Sequence, residues 1–189
     1  MTLKEYKETS VYKEVEERSK LDPYKGTELQ GLKRLNSKTK GALFEKLYTE
    51  YMESKDLDLL VERAENGSTE HDRVLVILSG PSFWNGAPNG KNANRIKKEI
   101  KGSFLWGTGT HFRWQQIRPA HDYDDIVFLA VWPDRIEFYE SDKKTVTDFV
   151  TQQDEDGNWP YNQHGGKTKN SGTFLLDGFP ADFPFMKKI

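Results

Sequence analysis

Residues 125 to 132 read "DIVFLAVW", with an unbroken apolar run from Ile126 to Val131. A strand with one wet face alternates apolar and polar side chains; a continuous apolar run reads as a central strand buried on both faces. Such a strand needs a layer of cover on each side, and the rest of the chain offers helices for it. "GALFEKLYTEYMESK" sets Phe44, Leu47, Tyr48, Tyr51 and Met52 on one helical stripe, with Asn36 or Ser37 as cap. A more polar helix is predicted around residues 3 to 19, and a helical piece over "KDLDLLVERAENG", ending near Gly67. "DRVLVIL" (72 to 78) and "RIKKEIKGSFLW" (95 to 106) read as strands, separated by a loop rich in Gly, Pro and Asn. After the buried run, "PD" turns the chain into "RIEFYE" as a hairpin, and "SDKKTVTDFVTQQ" reads as a helix capped by Ser141 or Asp142. "SGTFLLDGF" supplies one more strand. The predicted fold class is α/β, a mixed central β-sheet flanked by α-helices.

At 189 residues, 35% of them hydrophobic, the chain suits a single domain with a core of its own. Helices are expected over about 1–66, the sheet core over about 67–150, and a C-terminal loop and strand over about 151–189. There is no cysteine, which excludes disulfides, a thiolate nucleophile and Cys-based metal sites. The charged first residues do not resemble a signal peptide and no apolar run reaches membrane-spanning length, so a soluble, cytoplasmic protein is expected. Net charge is only −2, but it is unevenly spread. From Lys91 to Arg118 seven Lys or Arg stand against Glu99 alone; from His121 to Asn158 eleven Asp or Glu stand against Arg135, Lys143 and Lys144. One basic surface and one acidic back is the pattern of a protein that accepts a polyanion locally.

Within the basic stretch lies "EIK". Side chains alternate along a strand, so Lys97, Glu99 and Lys101 share one face and Ile96, Lys98 and Ile100 the other. A carboxylate is a hard ligand for Mg²⁺, and an ammonium beside it can orient a water and meet the charge developing on a phosphate. The best second acid is Asp72, at the start of the preceding strand; Glu45, beside the apolar helix stripe, can face the same cleft. The same residues also have plainer readings: an exposed ion pair for Glu99 and Lys101, a strand-start residue for Asp72, a solvated helix glutamate for Glu45.

The ordered set of Glu45 on a helix, Asp72 on a first strand and Glu99-Ile100-Lys101 on a second resembles the PD-(D/E)xK nuclease superfamily, and within it the Type II restriction endonucleases. The resemblance spans roughly residues 37 to 176 and rests on order and context, since "ExK" alone is unspecific. The first motif reads "HDRV" where the family pattern has "PD". The resemblance implies a restriction-endonuclease-like sheet. Asp72 and Glu99 would hold Mg²⁺, Lys101 would assist the attacking water and Glu45 would support the site. It further implies double-stranded DNA as partner, read by a homodimer, with Ser103, Gln115, Gln116, Arg118, Lys167, Lys169 and Asn170 as candidate DNA contacts. Phe83 and Trp84, in the Gly/Pro-rich loop, are candidates to stack on or wedge into a duplex, while Trp106, Trp114, Trp132 and Trp159 read mainly as core or loop anchors. The scattered histidines have no metal-ligand spacing, and "HDYDD" (121 to 125) reads as a solvated acidic turn. A repair, recombination or phage nuclease that reads DNA structure rather than sequence is an alternative. So is a non-catalytic DNA-binding protein; a carbohydrate-active protein leaves the basic cluster around Glu99 without an explanation.

Overall fold

The computed structural model describes residues 3–55, 59–63, 72–77, 94–106, 109–166 and 172–189. Four helices come first: α1 (Leu3–Lys7), α2 (Ser10–Lys20), α3 (Gln30–Arg34) and α4 (Ser37–Lys55). The strands are β1 (Leu59–Arg63), β2 (Arg73–Ile77), β3 (Asn94–Trp106), β4 (His111–Ile117), β5 (Asp125–Val131), β6 (Ile136–Asp142), β7 (Phe174–Gly178) and β8 (Lys187–Lys188), with helix α5 (Lys143–Val150) after β6. The main sheet runs β1-β2-β3-β5-β6-β8, with β4 branching from the end of β3 and pairing β7. The β3–β5 pairing is parallel and the others are antiparallel, so the sheet is mixed as predicted. No helix among the described residues is long and apolar enough to cross a membrane.

The buried run is the central strand: every residue from Ile126 to Val131 is inaccessible to solvent. Its register with β3 divides the sheet into two faces. Lys98, Ile100 and Gly102 lie beside Asp125, Val127 and Leu129 on one face; Glu99, Lys101 and Ser103 lie beside Ile126, Phe128 and Ala130 on the other. Helix α4 covers the first face with the predicted stripe, burying Phe44 and Tyr48, with Leu47, Tyr51 and Met52 packed beside them. It comes so close that a Cβ on Gly102 would lie 2.1 Å from the Phe44 ring. On the second face Trp114 of β4 meets Phe128 edge-on, at 5.7 Å between ring centres, and donates its indole N–H to the Leu129 carbonyl. Val146 and Val150 of α5 complete the core.

Caps fall where the sequence placed them. Asn36 accepts from the Thr39 N–H at 2.9 Å at the start of α4, and Asp142 accepts from the Thr145 N–H at 2.8 Å at the start of α5. Three expectations are corrected. The predicted helical piece after Lys55 contains strand β1, paired with β2 in register from Leu59↔Ile77 to Arg63↔Arg73. There Val61 is buried and Leu60 exposed, an alternation imposed by the edge of β2 rather than by local helix preference. The segment around Gln115, which the predicted elements pass over, is strand β4. The helix over 3 to 19 is two, broken where Thr9 caps α2 by accepting from the Tyr12 N–H.

Candidate active site

Strand β3 is shared unequally. Its first part pairs β2 in register up to Lys98↔Arg73, and its last two residues, Leu105 and Trp106, pair β4. Between these, positions 99 to 104 are paired only on the β5 side. Asp72 closes the start of this open edge. Its N–H donates to the Lys98 carbonyl at 3.0 Å and its carboxylate accepts from the Ile100 N–H at 2.6 Å. Continuing the β2–β3 register by one residue sets Asp72 opposite Glu99. Asp72 therefore stands at the β3 edge close enough for its charge to act on Glu99, with Lys101 two residues further along.

This is not the exposed ion pair of the plainer reading. Glu99 is only 4% accessible, and its carboxylate is bound by the Lys101 ammonium, which is itself mostly covered. Burial raises the Glu99 pKa above the usual carboxylate range; Lys101 opposes the rise, the Asp72 charge adds to it, and Arg118 lowers it slightly. Glu45 is also raised, by burial and then by Asp72. It sits on the α4 side of the sheet, where it bonds Arg73 at 2.7 Å, so the structure does not bring it to the face of Glu99. Arg73 also donates to Thr49 and to the Asp72 carbonyl, tying α4 to the residue that carries the first acid.

Asp72 and Glu99 fit a hard divalent cation. Both are oxygen donors, and their mutual repulsion in a buried place is the charge imbalance a cation relieves. Among the described residues no group of three or more His, Asp or Glu gathers as a metal-binding set. Two carboxylates suit Mg²⁺ in particular, which keeps waters and substrate phosphate oxygens in its remaining positions.

A cleft of about 520 Å³ runs along the open edge of β3, between the start of α4 and β4, with Lys101, Ser103, Gln115 and Gln116 among its walls. The two glutamines project through a β-bulge. The β4–β7 register passes from Trp114↔Leu176 to Ile117↔Phe174, placing one extra residue in β4. Trp114 and Ile117 can thus both face the core, while Gln115 and Gln116 are exposed and Gln116 adopts a left-handed φ of 58°. The Gln116 N–H donates to the Gln163 side chain at 2.8 Å, and its carbonyl Oε1 accepts from Arg118 at 3.3 Å. Ser103 lies at the cleft, but its hydroxyl is occupied, accepting the Arg113 N–H at 2.8 Å and donating to the Phe104 carbonyl. Lys167, Lys169 and Asn170, like Phe83 and Trp84, lie outside the described residues.

The basic stretch forms no uniform basic surface. Arg95 pairs Glu62, Lys97 pairs Asp122, and Arg113 pairs Asp177. Lys98, 2% accessible, is held under α4 by Asp125 and Glu140. The "HDYDD" run is thus a set of counter-charges for β3, with Tyr123 buried and Asp124 accepting the Lys97 N–H at 2.8 Å. Trp106 departs from the expected anchors: it is 47% accessible at the cleft, with the Arg113 guanidinium 4.9 Å from its ring centre. Lys33 and Lys40 also line the cleft, an arrangement that sequence spacing did not signal because the α3–α4 turn brings them there.

No protein-family model matches the chain, and no curated protein matches it by sequence. Among solved structures it is similar to a bacterial homing endonuclease, I-Ssp6803I, with a TM-score of 0.41 and 13% identity, covering 70% of this chain and 87% of that one. At that distance the likeness speaks neither to family nor to activity.

Proposed function

We propose that this chain is a Mg²⁺-dependent endonuclease that hydrolyses phosphodiester bonds of double-stranded DNA at defined sequences, in the manner of a Type II restriction endonuclease. The observation that carries the reading is the position of Asp72 opposite Glu99, with Lys101 on the same face beside an open cleft. Asp72 and Glu99 would hold Mg²⁺, which when bound polarises the scissile phosphate and lowers the pKa of a water. Lys101, on leaving Glu99, steadies the attacking water and the charge growing on the phosphate oxygens. The Glu45–Arg73 salt bridge positions Asp72 from behind without touching substrate. The exposed Gln115 and Gln116 suit contacts with base edges, and Arg118 with the backbone. A two-fold target would call for a homodimer.

The test is incubation of the protein and its Lys101→Ala variant with unmethylated phage DNA, in Mg²⁺ and in EDTA. Discrete fragments from the wild type in Mg²⁺ alone are expected. A smear would replace sequence recognition with structure recognition, and binding without cleavage by either protein would reduce "EIK" to a strand.

A further inference from the structure

Four cations line the cleft: Lys33, Lys40, Lys101 and Arg113, with no Asp or Glu among its described walls. Three of them are neutralised. Lys33 bonds Asp22 at 2.6 Å, Lys101 pairs with Glu99, and Arg113 forms an ion pair with Asp177 at 3.1 Å. Lys40 is different. It is half-buried, its ammonium lies 5.2 Å from the Phe104 ring centre, and no described carboxylate pairs with it. Burial, and then the nearby Lys33 charge, hold its pKa below the usual lysine range. Ser37, in the first turn of the nineteen-residue α4, and Gly41, one turn on, line the same end of the cleft, where the helix dipole adds positive potential.

We infer that Lys40, with Lys33 beside it, binds a backbone phosphate of the polynucleotide other than the one that is cut, and so sets the strand's register in the cleft. The identity of the polyanion rests on the nuclease reading; the need for an anion at Lys40 rests on its missing partner. A phosphate completes the neutralisation that every other cation of the cleft already has, and the Phe104 ring holds the lysine stem in place to receive it. Contacts of this kind position nucleic acid without reading its sequence.

The test is binding of a fluorescently labelled DNA duplex in EDTA, followed by anisotropy over a range of salt, alongside cleavage of phage DNA in Mg²⁺. Lys40→Ala should weaken binding about tenfold, the worth of one charge-assisted contact, and flatten the slope of log affinity against log salt by about 1. Lys40→Arg should restore the slope. Lys46→Ala, on the same helix but exposed and paired with Glu50, should match the wild type. A wild-type slope for Lys40→Ala overturns the inference, even if cleavage proceeds and the nuclease reading stands. A flattened slope with no cleavage by the wild type keeps the phosphate site and removes the nuclease. No DNA binding by the wild type removes both.

Discussion

The carboxylate of Asp72 accepts a hydrogen bond from the backbone N–H of Ile100 at 2.6 Å, which fastens the residue before β2 to the residue between Glu99 and Lys101. One oxygen of Asp72 is thereby fixed, while the other takes no bond from any described residue. The acid therefore has two separable tasks, closing a strand edge and supplying a charged ligand. Asp72→Asn keeps an acceptor for Ile100 and should fold with nearly wild-type stability while losing Mg²⁺-dependent cleavage. Asp72→Ala should lose cleavage and also about 1–3 kcal/mol of stability, because it leaves a buried N–H unpaired. Chemical denaturation of both variants checks this; equal stabilities would show that the hydrogen bond matters little.

Glu99 gives the site a pH dependence with a definite sign. Burial, reinforced by Asp72 and opposed by Lys101, raises its pKa, so it keeps a proton to higher pH than an ordinary glutamate. A metal ion must displace that proton. Mg²⁺ affinity should rise with pH through the raised pKa, and binding should release protons. Calorimetry at one pH, in buffers of different ionisation enthalpy, should detect the release in the wild type and little or none in Glu99→Gln.

Glu137 should contribute to acid stability away from the site. Burial opposes its ionisation, but bonds from Lys188 (2.6 Å), Tyr139 (2.9 Å), Arg135 (3.2 Å) and Trp132 (2.7 Å) outweigh burial and hold its pKa at about 2. A folded pKa below the unfolded value, about 4.3, stabilises the protein above that pH and is lost on acidification towards the folded value. Wild type should exceed Glu137→Gln by on the order of 2 kcal/mol near neutrality. The gap should close as pH falls from about 4.3 towards 2. Urea titrations of both proteins across that window measure it; a constant gap would assign the effect to packing.

Gly102 permits the approach of α4 to β3. A methyl group there would overlap the Phe44 ring at 2.1 Å, so Gly102→Ala should destabilise by about 1–3 kcal/mol. Adding Phe44→Leu should recover part of the loss, since the clash is with a side chain. A double variant no more stable than the sum of the single losses would count against this.

Elements with strong local patterns were legible from sequence: the Ile126–Val131 run, the α4 stripe, the β5–β6 hairpin and the Asn36 and Asp142 caps. Strand β1 was not, because "LLVER" alternates visibly only when β2 offers an edge to pair with. The bulge at Gln115 and Gln116 was hidden for a related reason: its extra residue exists only relative to β7. Charge misled in another way, since a count along the chain cannot show that the cations of β3 meet acids from the next turn and hairpin.

By itself the sequence determined which residue types were available to the site and, through the two-residue period of a strand, that Glu99 and Lys101 share a face. Only the tertiary structure decided that Asp72 is fastened to β3 beside Glu99, that Glu45 is turned to Arg73 on the other side of the sheet, and that Lys40 faces the cleft with no carboxylate partner among the described residues. Face and period are properties of local backbone geometry. Partnership across strands and layers depends on register and packing, which bring together residues the chain keeps far apart.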